Sequence, residues 1–128
     1  MFKWTAEPLK NVNGIKFGMS RKEVREIIGR IYFEFKKTKF SKTTSDNFGI
    51  CHVFYNTQDE FEAIEIFDEV YVIIEGKQIF PADIAVLAEL SEDFIKEDDF
   101  YISKSKSIGI YAPSGKMESI LFGVKDYY

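Results

Sequence analysis

Phe61-Glu62-Ala63-Ile64-Glu65-Ile66-Phe67 and, two residues on, Val70-Tyr71-Val72-Ile73-Ile74 decide the fold class. Both runs are short and rich in β-branched and aromatic residues, so they read as strands. Upstream, Phe48 to Tyr55 reads as a strand, followed by a turn at Asn56-Thr57-Gln58-Asp59. Before that, Ile31, Phe33 and Phe35 alternate with polar or tyrosyl residues through Lys36, which predicts a strand with one apolar face. Glu75-Gly76-Lys77 is a turn signal. Segments this close in sequence favour an antiparallel meander.

Helices flank this strand-rich centre. Ser20 and Glu23 form a capping box, with Met19 and Val24 at the positions of a hydrophobic staple. Val24, Ile27 and Ile28 then make an apolar stripe that stops at Gly29. Gly14 to Met19 is a short turn-rich approach to that helix. A second helix is predicted to open at Pro81, with Asp83 in its first turn and Ile84, Leu87, Ala88 and Leu90 buried. Beyond it, Phe100 to Ile102, Ile108 to Tyr111 and Ile120 to Val124 are candidate strands, with a turn at Pro113-Ser114-Gly115-Lys116. The expected fold is α+β: a mainly antiparallel sheet of about six strands packed with two helices. Residues 1–128 form a single globular domain in this reading, without repeat, linker or low-complexity tract. The Ser/Thr/Lys stretch from Lys36 to Asp46 is the most loop-like segment.

Composition supports a folded chain. The 128 residues are 45% apolar, too many for disorder, and 16% aromatic, with 13 Phe and 7 Tyr. Cys51 is the lone cysteine, which rules out an internal disulfide and fits a reducing compartment. The N-terminal residues lack the apolar core of a signal peptide. Apolar runs such as Val70 to Ile74 fall far below the ~20 residues of a membrane span. A cytoplasmic location is expected. The net charge is −4, unevenly spread: +7 over residues 1–45, −13 over 46–100 and +2 over 101–128. Surfaces of one sign steer partners of the other.

The chemistry-bearing residues point away from catalysis. Cys51 and His52 are adjacent on a predicted strand and so face opposite sides, which separates nucleophile from base. One Cys and one His are too few for a zinc site, and the acidic stretch 92–99 lacks the spacing and glycine of an EF-hand. Nucleotide-binding glycine fingerprints are absent. Lys16, Arg21, Lys22, Arg25 and Arg30 could contact phosphate, but a charged outer helix face is the favoured reading of them, and nucleic acid is not expected as a partner. Glu62 and Asp68 share one strand face and Glu65 takes the other, between Ile64 and Ile66, where burial would raise its pKa. Neither a catalytic residue nor a cofactor nor a metal is predicted.

Three stretches taken together resemble a family of small bacterial proteins. They are Gly14-Ile15-Lys16-Phe17-Gly18-Met19-Ser20 with Glu23-Val24, then Phe61 to Phe67, then Ile108-Gly109-Ile110-Tyr111-Ala112-Pro113 with Tyr127-Tyr128. Some members of that family look like immunity proteins encoded beside polymorphic toxins, including those of contact-dependent growth inhibition. The resemblance implies a non-catalytic domain that binds and neutralises a cognate toxin domain. It carries no active-site residues. Many toxin domains are basic, so acidic segments are the candidate partner-binding faces: Asp59, Glu60 and Glu62 in one, Glu92, Asp93, Glu97 and Asp98 in the other. Two alternatives remain: a small-molecule-binding domain or enzyme with a sheet pocket around Glu65, and a homo-oligomeric scaffold joined at a sheet edge.

Overall fold

A computed structural model of the protein describes residues 2–128. Helix α1 spans Arg21–Ile28. Its cap is the predicted one: Ser20 Oγ accepts the Glu23 N–H at 3.2 Å, and Glu23 Oε1 accepts the Ser20 N–H at 3.2 Å. Gly29 closes it in the left-handed region at φ 62°, where a side chain is disfavoured. Val24 is fully buried and Ile28 packs on the core, but Ile27 is half exposed. The second helical segment is shorter than predicted. A 3-10 turn, Ile84–Val86, runs into a four-residue helix α2, Leu87–Leu90. Asp83 caps it by accepting the Ala85 N–H at 2.8 Å, so it starts three residues beyond Pro81. Val86 and Leu87 face the core, while Ala88 is exposed.

The structure contains thirteen strands among the described residues, not about six. They are β1 (Phe2–Glu7), β2 (Asn11–Val12), β3 (Ile15–Lys16), β4 (Phe33–Phe35), β5 (Ser45–Asn47), β6 (Cys51–Tyr55), β7 (Phe61–Phe67), β8 (Val70–Ile74), β9 (Lys77–Phe80), β10 (Ile95–Glu97), β11 (Phe100–Ser103), β12 (Ile108–Tyr111) and β13 (Ser119–Gly123). Five of them have only two or three residues, too few for an alternating pattern to register in a sequence. They make two sheets. The smaller has the order β3-β2-β1-β8-β9, and the larger β10-β11-β12-β13-β7-β6-β5-β4.

The expected meander fails at one point. β7 and β8, adjacent in sequence, belong to different sheets. β8 instead pairs in parallel with β1, from Phe2 opposite Val70 to Thr5 opposite Ile73. Every other neighbouring pair is antiparallel. Along β8, Val70, Val72 and Ile74 are buried and Tyr71 and Ile73 are half-buried. The inward side chains of both sheets belong to one hydrophobic cluster, which includes Trp4, Val72, Phe80, Val53, Ile64, Ile110 and Phe122.

A second correction concerns Ile31 to Lys36. Only Phe33–Phe35 is strand, and its apolar residues do not face a core: Ile31 is 81% exposed and Phe33 72%. The stretch forms an edge of the larger sheet, where a strand has one neighbour and its side chains meet solvent. No helix among the described residues is long and apolar enough to cross a membrane.

Candidate functional site

The acidic segment 92–99 does not remain a loop. Ile95–Glu97 pairs with Phe100–Ser103, Glu97 standing opposite Phe100, and Asp98 turns the chain at φ 53°. Aspartate tolerates this left-handed conformation because its short side chain can hydrogen-bond locally. The resulting hairpin is the last of the larger sheet, with β10 paired on one side only. Ile95 is 61% exposed and Phe100 44%, with the Phe100 ring resting on Tyr111 at 5.0 Å between centroids. Glu92, Glu97, Asp98 and Asp99 flank these apolar groups in sequence and are all exposed. An apolar centre with a charged rim is the general anatomy of a protein-binding patch.

Asp93 stands apart from its neighbours. Its carboxylate accepts the hydroxyls of Ser103 at 2.5 Å and Ser91 at 2.6 Å, and the backbone N–H of Ser105 at 2.9 Å. These donors, led by Ser103, hold its carboxyl well below the usual carboxylate range. Asp93 therefore fastens the approach to β10 onto the β11–β12 turn, and its oxygens are already engaged.

The other acidic segment lies at the surface but is partly engaged by the fold's own donors. Asp59, at φ 63°, accepts Arg21 Nε at 2.7 Å. Glu60 bridges to Ser20 through the backbone and accepts Asn56 Nδ2 at 3.2 Å. Glu62 sits in a bulge, because Tyr55 pairs with Phe61 while Phe54 pairs with Ala63. The bulge breaks the period-two placement of Glu62 on the face of Asp68. Asp59, Glu60 and Glu62 thus do not present one common face.

The arginines of α1 point inward, which corrects their reading as an outer charged face. Arg21, 8% exposed, donates to Asp46 Oδ1 at 3.2 Å and to the Thr44 carbonyl at 2.8 Å. Arg25 donates to both Asp46 oxygens at 2.8 Å, and the Tyr55 hydroxyl donates to Oδ2 at 2.8 Å. Asp46 is fully buried. The hydrogen bond to Asp46 pushes the Arg25 pKa up, and burial, reinforced by Asp46, does the same for Tyr55. The two guanidinium groups also lie 4.1 Å from the Tyr55 ring centre and 4.0 Å from that of Tyr32. All these donors and acceptors are internal, which gives Arg21 and Arg25 a structural role.

The outer face of the larger sheet carries the remaining candidates. Cys51 is buried on the core side and His52 lies on the other, so the pair cannot act together. Burial pushes the Cys51 thiol up to about 12, which leaves it protonated at neutral pH. His52 lies between the rings of Phe35 and Phe67, at 4.8 and 4.9 Å, and burial lowers its pKa, with Glu65 opposing. Glu65 stands between His52 and Leu121 across the strands and accepts the Ser119 hydroxyl at 2.9 Å. Tyr127 and Tyr128 fold back over this face. A side chain at Gly109 would overlap the Tyr128 ring, and one at Gly123 the Tyr127 ring.

Glu65 does not line any of the five clefts described next. A cleft of about 540 Å³ lies elsewhere, between the Glu7–Asn11 turn, the β8–β9 turn and Ser105-Lys106, and four smaller ones are not lined by Glu65 either. Among the described residues, no group of three or more His, Cys, Asp or Glu side chains is placed to hold a metal ion. Comparison of the chain with protein-family models, with curated proteins and with solved structures found no match. Sequence reasoning chose Glu92, Glu97 and Asp98 but passed over Ile95, Asp99 and Phe100. A signal was present: two large apolar residues bracket four consecutive charges, Lys96 to Asp99.

Proposed function

We propose that the protein is a non-catalytic binding domain of the immunity type, which neutralises a basic toxin domain by holding it at the β10–β11 hairpin. One observation carries this reading: the exposed Ile95 and Phe100 stand at the free edge of the larger sheet in a segment whose Glu92, Glu97, Asp98 and Asp99 are exposed as well. Carboxylates around an apolar centre steer a basic partner into encounter, and the buried apolar groups then slow its release. Of the two acidic segments, 92–99 is favoured because Asp59 is committed to Arg21 and Glu60 to Ser20 and Asn56. Within it, Glu92, Glu97 and Asp98 are free for a partner, whereas Asp93 supports the hairpin from beneath.

Calorimetry with the C-terminal domain encoded by the upstream neighbouring gene tests the proposal. A dissociation constant of ~1 nM or tighter, about −12 kcal/mol, is expected for a dedicated partner. Reversing Glu97 and Asp98 to Lys is expected to weaken binding by at least about tenfold and to flatten its salt dependence. The same reversal at Glu60 and Glu62 is expected to change it little. Absence of heat at tens of micromolar excludes that neighbour, and equal loss from both pairs of reversals excludes the hairpin as the specific site.

A further inference from the structure

The larger sheet ends in two free edges of opposite charge. At one end, β4 and the loop that follows it carry Lys36, Lys37, Lys39 and Lys42. At the other, the β10–β11 hairpin carries Glu97, Asp98 and Asp99. Each terminal strand pairs on one side only, and each exposes large apolar groups: Ile31, Phe33 and Phe40 at the basic end, Ile95 and Phe100 at the acidic end. A row of unpaired backbone donors and acceptors is a template for another strand. Lysines on an edge normally discourage such pairing, but they repel only a partner that is itself basic.

We infer that the partner fitting the β4 edge is the β10 edge of a second copy of this chain, so that copies associate head to tail. Continuing the sheet in its own antiparallel sense fixes which side chains share a face, and opposite charges across the strands then select the register. Phe35 contacts His52 and therefore lies on the outer face, as does Phe33. Ile95 is opposite Ile102, which is opposite Gly109 beneath Tyr128, so Ile95 also lies on that face. With β10 of the next copy laid against β4, Phe35 meets Ile95 on the outer face and Glu34 meets Lys96 on the inner one. Opposite charges directly across a strand pair stabilise it, and like charges destabilise it. A two-fold pairing of β4 with β4 about position 34 would set Glu34 against Glu34, and one of β10 with β10 about position 96 would set Lys96 against Lys96. Each would also bring together two edges of one sign. The contact that charge permits is the heterologous one, which grows into a chain or closes into a ring.

Sedimentation of the full chain tests this. In low salt the weight-average mass is expected to rise above 14.9 kDa with concentration, and to return toward it in ~0.5 M salt, where charges at the two edges are screened. Glu34→Lys and Lys96→Glu, each alone, set like charges across the contact and are expected to weaken association by about tenfold or more. An equal mixture of the two variants restores opposite charges at every junction, and association is expected to recover. That recovery also shows that both variants are folded. A wild-type chain that stays at 14.9 kDa at every concentration and salt overturns the inference, whether the edge is then bare or reserved for a different protein. So do single variants that associate like wild type, or a mixture that fails to recover. Both readings use Ile95 and the free β10 edge, so a toxin domain held there competes with the neighbouring copy; the two are measured separately, and either can fail while the other stands.

Discussion

Asp46 and Asp93 are the same side chain in opposite circumstances. Asp46 is a buried charge held by two guanidinium groups and a phenol. Replacing it with Asn removes the buried counter-charge that Arg21 and Arg25 share and leaves Arg21 only the more exposed Asp59 and Glu34, and breaking a buried ion pair costs ~3–5 kcal/mol. Denaturant unfolding of Asp46→Asn is expected to show a loss of that size. Asp93 is a carboxylate near the surface that serine donors hold ionised. Its folded pKa lies below its unfolded value of ~3.9, so its contribution is present above about pH 4 and is lost as pH falls through the folded pKa. Asp93→Asn is expected to lower stability at pH 7 and to flatten the pH dependence of stability below about pH 4, which thermal melts across that range would measure. Neither role was legible in the sequence. Asp46 ends a Ser/Thr/Lys stretch that reads as loop, and Asp93 sits in a run of acids that reads as one solvated surface. Arg21 and Arg25 did offer a signal, because Val24 and Ile28 stand on their side of the helix.

Elements with a local chemical signature were readable, and those defined by distant partners were not. The α1 cap was visible in Ser20 and Glu23 because a capping box closes within four residues. Ser20→Ala is expected to cost ~0.5–2 kcal/mol by thermal or denaturant unfolding. The larger part of that range is expected here, since α1 also delivers both arginines to Asp46. β7 was equally plain, with its buried Ile64 and Ile66. β4 shows the opposite case: alternation of Phe33 and Phe35 marked a strand, yet nothing local says whether a strand's apolar side meets a core or solvent. Gly109 shows a third case. The residue is glycine because Tyr128, nineteen positions later, occupies the space of its side chain. Gly109→Ala forces the ring aside, and overpacking of this kind costs ~1–3 kcal/mol, to be read as a lowered Tm.

At the scale of the whole molecule, the charge blocks seen in the sequence become a spatial separation. The basic first third supplies one end of the larger sheet and the acidic middle supplies the other, so a chain with a net charge of only −4 has two strongly charged ends. The α+β class was legible because the central strands are long enough to show their period. The division into two sheets was not, since it depends on β8 leaving its neighbour β7 for β1. That parallel pairing also sets an order of events during synthesis. β1 is synthesised well before its main partner, which lies at Val70 to Ile73. Until that segment emerges, β1 has only the two-residue β2 beside it, with Trp4 and Ala6 without their core. Contacts this distant in sequence form late and slowly. The growing chain therefore displays an unsatisfied strand until β8 has been made, and the β7–β8 junction is where synthesis finally allows the smaller sheet to close.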